Sequence, residues 1–509
     1  MSFVVGFFPD LVAYAFAIWV LYISFRRPAT RKTSCPYPPG PPGKYLIGNL
    51  GQISAERPEI DYMRWGKEYE ILGQHIICLN SAQAAADLLD RRGSIYCDRP
   101  RFTLFEVMGW GLTLTFLRWG SKYRLHRRLF HQTFSPSHIK VFRSAQLSEA
   151  RKAVRSLLSN PADWKDATLL MSTSIIFRIA FGQEIRSKDS PYCDLSRAAN
   201  DATTGGGTPG STLVDLFPLA RYLPDCINIS PSLRHARQSR PAIQAVHDYP
   251  WNANLKDMEA GTAAPSFMKT HIERLVKDRS AGIPQELTLE DIKGATGAIF
   301  IAGGNTTWST VQSCILFLTK YPETQRRIQQ ELDLVVGRDR LPSFDDRPNL
   351  PYLERFINEV LRCLPLNPLV IPHKSLRDDV YRGMFIPKGS VVFANATAML
   401  TDPAVYRDPR VFDPDRYLRG EPHPPANFGF GRRKCPGSHL ALASVYIFTA
   451  TLMSAFNIEK AIGADGQPLE PKVAVSVGLG GHPEPFDCVL RPRLGTNAPQ
   501  LLAQSQTSM

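Results

Sequence analysis

The sequence predicts a mainly helical protein with a minor β part. The chain has 509 residues, of which 43% are hydrophobic, so it can bury a large core in one domain or two. Between residues 44 and 495, long segments with helical spacing of apolar residues alternate with short strand-like runs. No repeat of fixed period is visible, which argues against a solenoid.

The charge and cysteine content narrow the function classes. Sixty Lys and Arg residues against 47 Asp and Glu residues give a formal charge of +13, which suits nucleic acid, an anionic membrane surface or an acidic protein partner. No basic block with interleaved aromatic residues is present, so nucleic acid is not expected. The nine cysteines are scattered and never spaced as CxxC, which suggests neither a disulfide framework nor a zinc site. A reducing, cytosol-facing compartment fits best.

Residues 1–27 are predicted to form a membrane anchor. The stretch from Leu11 to Phe25 is apolar, and Arg26 and Arg27 follow it, so the positive-inside rule places the rest of the chain in the cytosol. A cleaved signal peptide is the alternative, but no A-x-A cleavage site follows Phe25. The Pro-rich residues 28–43 are predicted to be a stiff hinge. The tail, residues 496–509, is predicted to be disordered.

The segment from Leu287 to Pro322 predicts one helix of about 32 residues, because Thr288 is a suitable N-cap and Pro322 a stop. Its middle reads AGGNTT, Ala302 to Thr307. Glycine and threonine are poor helix formers, and a threonine hydroxyl can bind a backbone carbonyl, so the helix is expected to open locally there. Close approach of a ligand is one explanation for this composition, and a tight helix crossing is the other.

A glycine-rich stretch, DATTGGGTPG, contains the spacing GxGxxG at Gly205, Gly207 and Gly210. No strand precedes it, and Pro209 interrupts any helix start, so a loop is predicted rather than a dinucleotide site. Redox chemistry in this chain would therefore need electrons from another protein.

The stretch FGFGRRKCPG, Phe428 to Gly437, places a cysteine before an apolar helix. Pro436 suits the first helical position, and backbone N–H groups at a helix N-terminus favour a thiolate at Cys435. Such a thiolate is either a nucleophile or a metal ligand. His439 is the nearest candidate base, but no third group supports it.

The spacing of these residues matches FxxGxRxCxG, and it resembles the haem-binding loop of the cytochrome P450 family. Supporting motifs follow the family's order: Glu359 and Arg362 match ExxR, and Arg416 matches the arginine of a PxRx segment. AGGNTT resembles the oxygen-binding stretch of the family's central helix. YRLHRRLFHQ, from Tyr123, resembles the helix that holds the haem propionates. The likeness covers nearly the whole chain and is closest to fungal microsomal members.

This resemblance implies a cytochrome P450 fold, a single large domain and haem b as the cofactor. It implies that Cys435 is the iron ligand, that Phe428 shields its sulfur, and that Thr306 binds oxygen and organises water for proton delivery. Glu359, Arg362 and Arg416 would be structural. The other cofactor-binding residues implied are Arg433, Arg127, Tyr123, His373 and Gly303. For each basic residue taken singly, an ordinary surface position is the alternative.

The implied function is monooxygenation of an apolar small molecule of terpenoid, steroid-like, polyketide or polyaromatic type. Electrons would come from an NADPH-cytochrome reductase, with cytochrome b5 as a second donor, and the enzyme would be a monomer on the endoplasmic reticulum membrane. Substrate contacts are expected from Phe102–Leu117, Ala298–Thr306, Leu369–Ile371 and Val477–Leu479. Within them Phe102, Phe105, Met108, Trp110 and Phe300 either line the pocket or pack in the core.

The chain departs from the family pattern at several positions. Asn305 stands where an acid usually precedes the threonine, so the proton relay implied for Asn305 and Thr306 depends on water. Lys434 and Ser438 also replace the commoner residue types of the motif. After Tyr69 the sequence has room for little more than the second strand of a hairpin, which would leave an unpaired sheet edge.

Two other functions remain open at this point. The first is a haem-thiolate isomerase, dehydratase or peroxide-driven oxidase that needs no reductase. This alternative stays open because Asn305 replaces the usual acid. The second is a catalytically impaired, membrane-anchored binding protein. This function would follow if the short hairpin prevented the haem pocket from forming.

Overall fold

The computed structural model describes residues 35–38, 40–42, 44, 49, 52–54, 57–65, 69–71, 74–207, 210, 212–224, 230–476 and 478–504. The predicted anchor, residues 1–27, lies outside them, as does most of the predicted hinge. The described part is mainly helical with a small β part, which confirms the predicted class.

The helices make up most of the described chain. In chain order they are α1 (Pro58–Trp65), α2 (Ala82–Ala85), α3 (Thr103–Met108), α4 (Ser121–Phe134), α5 (Arg143–Ser159), α6 (Trp164–Phe181), α7 (Pro191–Thr204), α8 (Leu213–Leu216), α9 (Pro231–Glu259), α10 (Phe267–Ser280), α11 (Leu289–Lys320), α12 (Pro322–Val335), α13 (Pro351–Cys363), α14 (Ala396–Leu400), α15 (Ser438–Ala455) and α16 (Ala498–Gln504). A π-helical turn, Ala86–Arg91, continues α2.

Among the described residues the strands are short and form one sheet of four strands and two sheets of two strands. They are β1 (Tyr69–Ile71), β2 (Gln74–Leu79), β3 (His373–Lys374), β4 (Asp379–Tyr381), β5 (Met384–Ile386), β6 (Val391–Ala394), β7 (Phe456–Lys460) and β8 (Cys488–Pro492). The large sheet has the order β1-β2-β6-β3, and the other pairs are β4-β5 and β7-β8. This sheet carries His373 of β3 to the rim of the site described below.

Both strands of the hairpin after Tyr69 are present among the described residues. Strand β1 pairs with β2 in antiparallel fashion, with Glu70 opposite His75, and β2 pairs with β6 in parallel, with Ile76 opposite Val391. The expectation that little more than the second strand would form is therefore wrong. A three-residue strand is long enough to pair with the first half of β2.

Helix α11 crosses the centre of the core and confirms the predicted long helix. It has 32 residues, and Thr288 and Asp291 form a capping box at its start. The predicted local opening is wrong, because the helix is continuous through the AGGNTT stretch. The Thr306 hydroxyl donates to the Ala302 carbonyl oxygen at 2.7 Å, and the backbone ladder tolerates this second donor.

Small residues in α11 serve a tight helix crossing. A Cβ atom added to Gly303 would lie 2.5 Å from Cδ1 of Ile176 on α6, so a larger residue would push the two helices apart. The helix-crossing explanation of the AGGNTT composition therefore holds for Gly303.

The second central helix, α15, packs against α5 and α11. Over the described residues it is the one helix that is long and apolar enough to cross a membrane, and 83% of that window is buried inside the protein. Its hydrophobicity is thus explained by its place in the core.

Two further expectations concern the chain's loops and its end. The first four residues of the glycine-rich stretch form the end of α7, so the loop prediction is wrong for residues 201–204. It is confirmed for residues 205–207 and 210, where Gly207 and Gly210 have φ near 80°. The predicted disordered tail is wrong for residues 498–504. These residues form α16, which buries Leu502 against the body of the protein and packs on α5.

Candidate active site

A cavity of about 330 Å³ lies between α11, the segment around residue 370 and the loop that carries Cys435. Of the five large apolar residues considered for its wall, only Trp110 lines it. Phe102, Phe105, Met108 and Phe300 are at most 2% exposed and pack in the core. The predicted stretches near residues 298–306, 370–371 and 479 do line the cavity, and Val477 lies outside the described residues.

The cysteine loop is shaped by glycine. Gly429 and Gly431 have φ of 69° and 52°, a region that disfavours other residues. A Cβ atom on Gly431 would lie 2.0 Å from the carbonyl oxygen of Leu89, so only glycine fits there. The Cys435 N–H donates to the Phe428 carbonyl oxygen at 2.8 Å, which closes the loop. Phe428 and Cys435 both line the cavity.

The surroundings of Cys435 shift the pKa of its thiol in opposite directions. Helix α15 begins at Ser438 with Gly437 as its N-cap, so the expectation that Pro436 is the first helical residue is wrong. The Cys435 side chain is exposed to the cavity that it lines, and protein surrounds it on its other sides. This enclosure raises the pKa of Cys435, while N–H groups of Gly437 and Ser438 and the charge of Arg127 lower it. Burial is the larger effect, and a bound metal ion would favour the thiolate.

Three buried basic side chains meet at one wall of the cavity: Arg99, Arg433 and His373. Arg99 Nη1 donates to the carbonyl oxygens of Ile371 and Pro372 at 2.5 and 2.7 Å. Arg433 donates from Nε to the Cys97 carbonyl oxygen at 2.7 Å, and its Nη2 is buried without a partner among the described residues.

His373 completes this basic cluster. Its Nδ1 bonds the Tyr96 carbonyl oxygen at 2.7 Å, and its Nε2 is buried with no partner within the described chain. Burial, and then the charge of Arg99, hold the pKa of His373 well below its usual range. Burial likewise lowers the pKa of Arg433 to about 10.

No carboxylate is bonded to the basic cluster within the described residues. Asp98 is the nearest acid in sequence to Arg99, but it accepts hydrogen bonds from Arg118 Nη2 and from the Trp119 N–H, at 2.9 and 2.7 Å. Burying cations without anions is costly. A ligand that carries carboxylates would therefore stabilise this wall.

Tyr123 and Arg127 also line the cavity, but their polar groups are partly engaged. The Tyr123 hydroxyl donates to the Arg432 carbonyl oxygen at 2.5 Å, and Arg127 Nη1 donates to the Lys434 carbonyl oxygen at 2.6 Å. The guanidinium of Arg433 lies 3.7 Å from the centre of the Tyr123 ring. These contacts tie α4 to the cysteine loop. The Tyr123 side chain therefore supports the loop and Arg433, and its hydroxyl is not free for a ligand.

The predicted catalytic pair lies on the cavity side of α11. Thr306 and Asn305 both line the cavity, as does Gly303. Asn305 is 5% exposed, and its Oδ1 accepts a hydrogen bond from the Ser196 hydroxyl of α7 at 3.2 Å. This bond fixes the orientation of the Asn305 amide.

Away from the cavity, the predicted structural network is complete. Both Glu359 oxygens accept from Arg362, at 2.8 and 2.9 Å, and Arg416 Nε donates to Glu359 Oε1 at 2.9 Å. The Tyr417 hydroxyl donates to Glu359 Oε2 at 3.0 Å. These three charged side chains are at most 1% exposed. The predicted network is confirmed, and it braces α13 against the segment that leads to the cysteine loop.

Sequence reasoning missed three residues of the site: Arg99, Ser196 and Asn200. Arg99 holds carbonyl groups more than 270 positions away along the chain, and Ser196 bonds a residue 109 positions away. Nothing in the local sequence signals either contact.

The described site fits haem b. The glycine-shaped loop brings the Cys435 sulfur to the cavity, where it could ligate an iron ion. Arg99, Arg433 and His373 offer cationic or donor groups, two of them with unpartnered nitrogens, to carboxylates such as the haem propionates. Arg127 can add a further cation at the rim. The remaining lining is largely apolar, which suits a porphyrin face.

Comparisons with known proteins agree with this fit. The family model described as Cytochrome P450 matches residues 38–487. The chain is 36% identical to tryptamine 4-monooxygenase of Psilocybe cyanescens, over 95% of this chain and 97% of that protein. It is 33% identical to a cytochrome P450 monooxygenase of Armillaria gallica, over 95% and 97% of the two chains.

A third relative, cytochrome P450 monooxygenase 208 of Postia placenta, is 34% identical over 98% of both chains. The match therefore extends over nearly the whole length of each protein, and it includes the cysteine loop, α11 and the Glu359 network. This chain belongs to the cytochrome P450 family, and it is a monooxygenase whose cofactor is haem.

Proposed function

We propose that this monooxygenase inserts one oxygen atom from O2 into an apolar organic molecule, with electrons supplied by a separate NADPH-dependent cytochrome reductase. The observation that carries the proposal is the accessible Cys435 side chain in a cavity whose other wall is the largely apolar face of α11. Terpenoid, steroid-like, polyketide and polyaromatic skeletons are the substrate types that suit such a lining.

Bound haem supplies the activation of O2 that none of the twenty side chains can provide. The protein's part in holding it is divided between two regions. Cys435 would be the iron ligand, with Phe428 beside it and the loop held by its own N–H bonds. Arg99, Arg433 and His373 would bind the propionates, with Arg127 at the rim.

Thr306 and Asn305 are the proposed proton-delivery residues. The Thr306 hydroxyl donates to the Ala302 carbonyl oxygen, so its lone pairs remain available to accept a hydrogen bond from water. The Asn305 amide does not titrate, and its Nδ2 has no partner within the described chain. Protons would therefore arrive through water that Thr306 Oγ1 positions.

The two alternatives considered from the sequence lose support. Relatives over nearly the full length are named as monooxygenases, which favours oxygen insertion over isomerisation or dehydration. The binding-protein alternative depended on a missing strand, and that strand forms.

The redox partner would dock on the face behind the cysteine loop. Arg432 and Lys434 are exposed there, next to Cys435, and Arg127 lies at its edge. An acidic face on a flavoprotein reductase, or on cytochrome b5, complements these charges. We propose that the enzyme is a monomer on the cytosolic side of the endoplasmic reticulum membrane.

The difference spectrum of the reduced protein with carbon monoxide tests the proposal. Wild type and the Cys488→Ala control, whose half-buried cysteine lies in β8 outside the cavity lining, should give the strongly red-shifted Soret band of a thiolate-ligated haem. Cys435→Ala should lose this band. A red-shifted band that survives in Cys435→Ala would refute the assignment of the ligand. NADPH consumption that fails to depend on added reductase and substrate would refute the electron route.

A further inference from the structure

The polar side chains around the cavity show what kind of substrate it can bind. None of the described lining residues is an aspartate or a glutamate, and the arginines among them are the ones assigned to the haem propionates. A substrate with an ammonium group would therefore be buried without an anionic partner, at a large cost in desolvation. The cavity is suited to uncharged molecules.

Asn200 is a polar lining residue whose side-chain amide has no hydrogen-bond partner among the described residues. It lies on α7, it is 6% exposed, and it lines the cavity. Neither atom of its side-chain amide makes a hydrogen bond to any other described residue. Its neighbours differ: the Thr203 hydroxyl donates to the Ala199 carbonyl oxygen at 2.6 Å, and the Ser172 hydroxyl donates to the Leu169 carbonyl oxygen at 3.0 Å.

The Asn200 amide faces the cavity, where water or a ligand can supply its hydrogen-bond partners. Leaving a buried donor or acceptor unsatisfied costs about 1 to 3 kcal/mol per group. The other buried polar residues of α7 differ from Asn200, because Ser196 and Thr203 are hydrogen-bonded within the protein. A ligand that displaces water from this part of the cavity must therefore supply those partners itself or leave the amide unsatisfied.

A second amide lies close to Asn200. Ser196 precedes Asn200 by one helical turn on the same face of α7, and its hydroxyl bonds Oδ1 of Asn305 on α11 at 3.2 Å. Because Oδ1 is taken by Ser196, Nδ2 is the atom of Asn305 left without a partner in the described chain. Two helices in contact, α7 and α11, thus bring two amides to one part of the cavity.

We propose that Asn200, with Nδ2 of Asn305 beside it, binds an uncharged oxygen of the substrate, a carbonyl or a hydroxyl, whose remaining skeleton is hydrocarbon. This inference rests on the proposed function, because it describes the substrate of the same site. An amide N–H donates to such an oxygen, while a pure hydrocarbon leaves both amides unsatisfied. Asn200 is therefore the specificity-determining residue that anchors an already oxygenated molecule.

Camphor and bornane, which share one bicyclic skeleton and differ by a carbonyl oxygen, test this anchor. Their dissociation constants for the haem-loaded protein are measured by equilibrium dialysis. Wild type should bind camphor about tenfold more tightly than bornane, the preference expected of one hydrogen bond in an enclosed site. In Asn200→Ala this preference should fall to within about twofold, because a packing defect alone would weaken both probes equally.

Two further variants sharpen the test. Asp201→Ala, the neighbouring truncation on the exposed side of α7, should keep the preference for camphor. Asn200→Asp keeps the size of the side chain but removes its donor when ionised, so it should lose the preference as Asn200→Ala does. Equal binding of the two probes to wild type, including no binding of either, would overturn the anchor, as would an unchanged preference in Asn200→Ala.

The carbon monoxide spectrum of the same preparations separates this inference from the proposed function. A red-shifted band together with no preference for camphor overturns only the anchor. A preference for camphor that depends on Asn200, in protein that lacks the band, overturns the proposed function and supports the anchor.

Discussion

Two buried groups of charged residues lie in this molecule, and they are built in opposite ways. In the network around Glu359, one carboxylate accepts from Arg362, Arg416 and Tyr417, and the side chains are at most 1% exposed apart from the half-buried Tyr417. In the basic cluster of Arg99, Arg433 and His373, three basic groups share a wall with no bonded carboxylate among the described residues.

The difference separates a structural site from a ligand site. A network whose charges are all paired inside the protein needs no ligand once the chain has folded. A cluster with unpartnered nitrogens needs an anion from outside to be complete. Haem propionates would supply that anion at the basic cluster, so the two regions should respond differently to mutation and to haem.

The largest effect is expected at the paired network. Glu359→Gln removes the carboxylate that neutralises two buried guanidinium groups, and breaking a buried ion pair in this way costs about 3 to 5 kcal/mol of stability. We expect little soluble, haem-loaded protein, measured by haem content per mole of protein and by urea unfolding.

Glu354→Gln is the matched control on the same helix. Glu354 pairs with Arg347 at 2.7 Å, but both side chains are about one-third exposed, at 32% and 28%. Exposed pairs contribute less than about 1 kcal/mol, so this variant should stay folded and loaded. Equal losses in the two variants would show that burial does not distinguish the network.

The same contrast explains how much the sequence could predict. Helix α11 and its Thr288 cap depend on neighbours within one turn, and the Glu359–Arg362 pair lies on one helix face, so local patterns were enough. Arg99 is positioned by carbonyl groups of a distant segment, and Asn200 is notable for the absence of a partner. Neither property has a local signature.

Tertiary contacts also changed what the local sequence pattern predicted. The AGGNTT stretch suggested a weakened helix, but packing of Gly303 against Ile176 keeps α11 continuous. The family resemblance implied that Tyr123 binds the cofactor, but its hydroxyl donates to the carbonyl oxygen of Arg432, 309 positions away. Tertiary contacts decide such cases.

A smaller effect should appear as pH dependence of the basic cluster. In haem-free protein the pKa of His373 lies well below 6.5, because the ring is buried and faces Arg99. The unfolded chain takes up a proton near pH 6.5 and the folded chain does not, so the free energy of unfolding falls as pH falls below 6.5. One such proton gives a slope of at most about 1.4 kcal/mol per pH unit.

His373→Asn should remove this contribution, because asparagine does not titrate and can still donate to the Tyr96 carbonyl oxygen. Urea unfolding of wild type and variant between pH 7 and pH 5 measures the difference in slope. Bound haem should reduce the wild-type slope, since a propionate beside His373 raises its pKa. Identical slopes for haem-free wild type and variant would mean that His373 is not held neutral.

The central claim is that the basic cluster is completed by haem and the Glu359 network is not. The most direct measurement is the rate at which haem leaves the protein for an excess of apomyoglobin, compared between Arg433→Leu and Tyr417→Phe. We predict about tenfold faster release from Arg433→Leu, the loss of one charge-assisted hydrogen bond, and no more than about twofold from Tyr417→Phe. Equal release rates from the two variants would contradict the account.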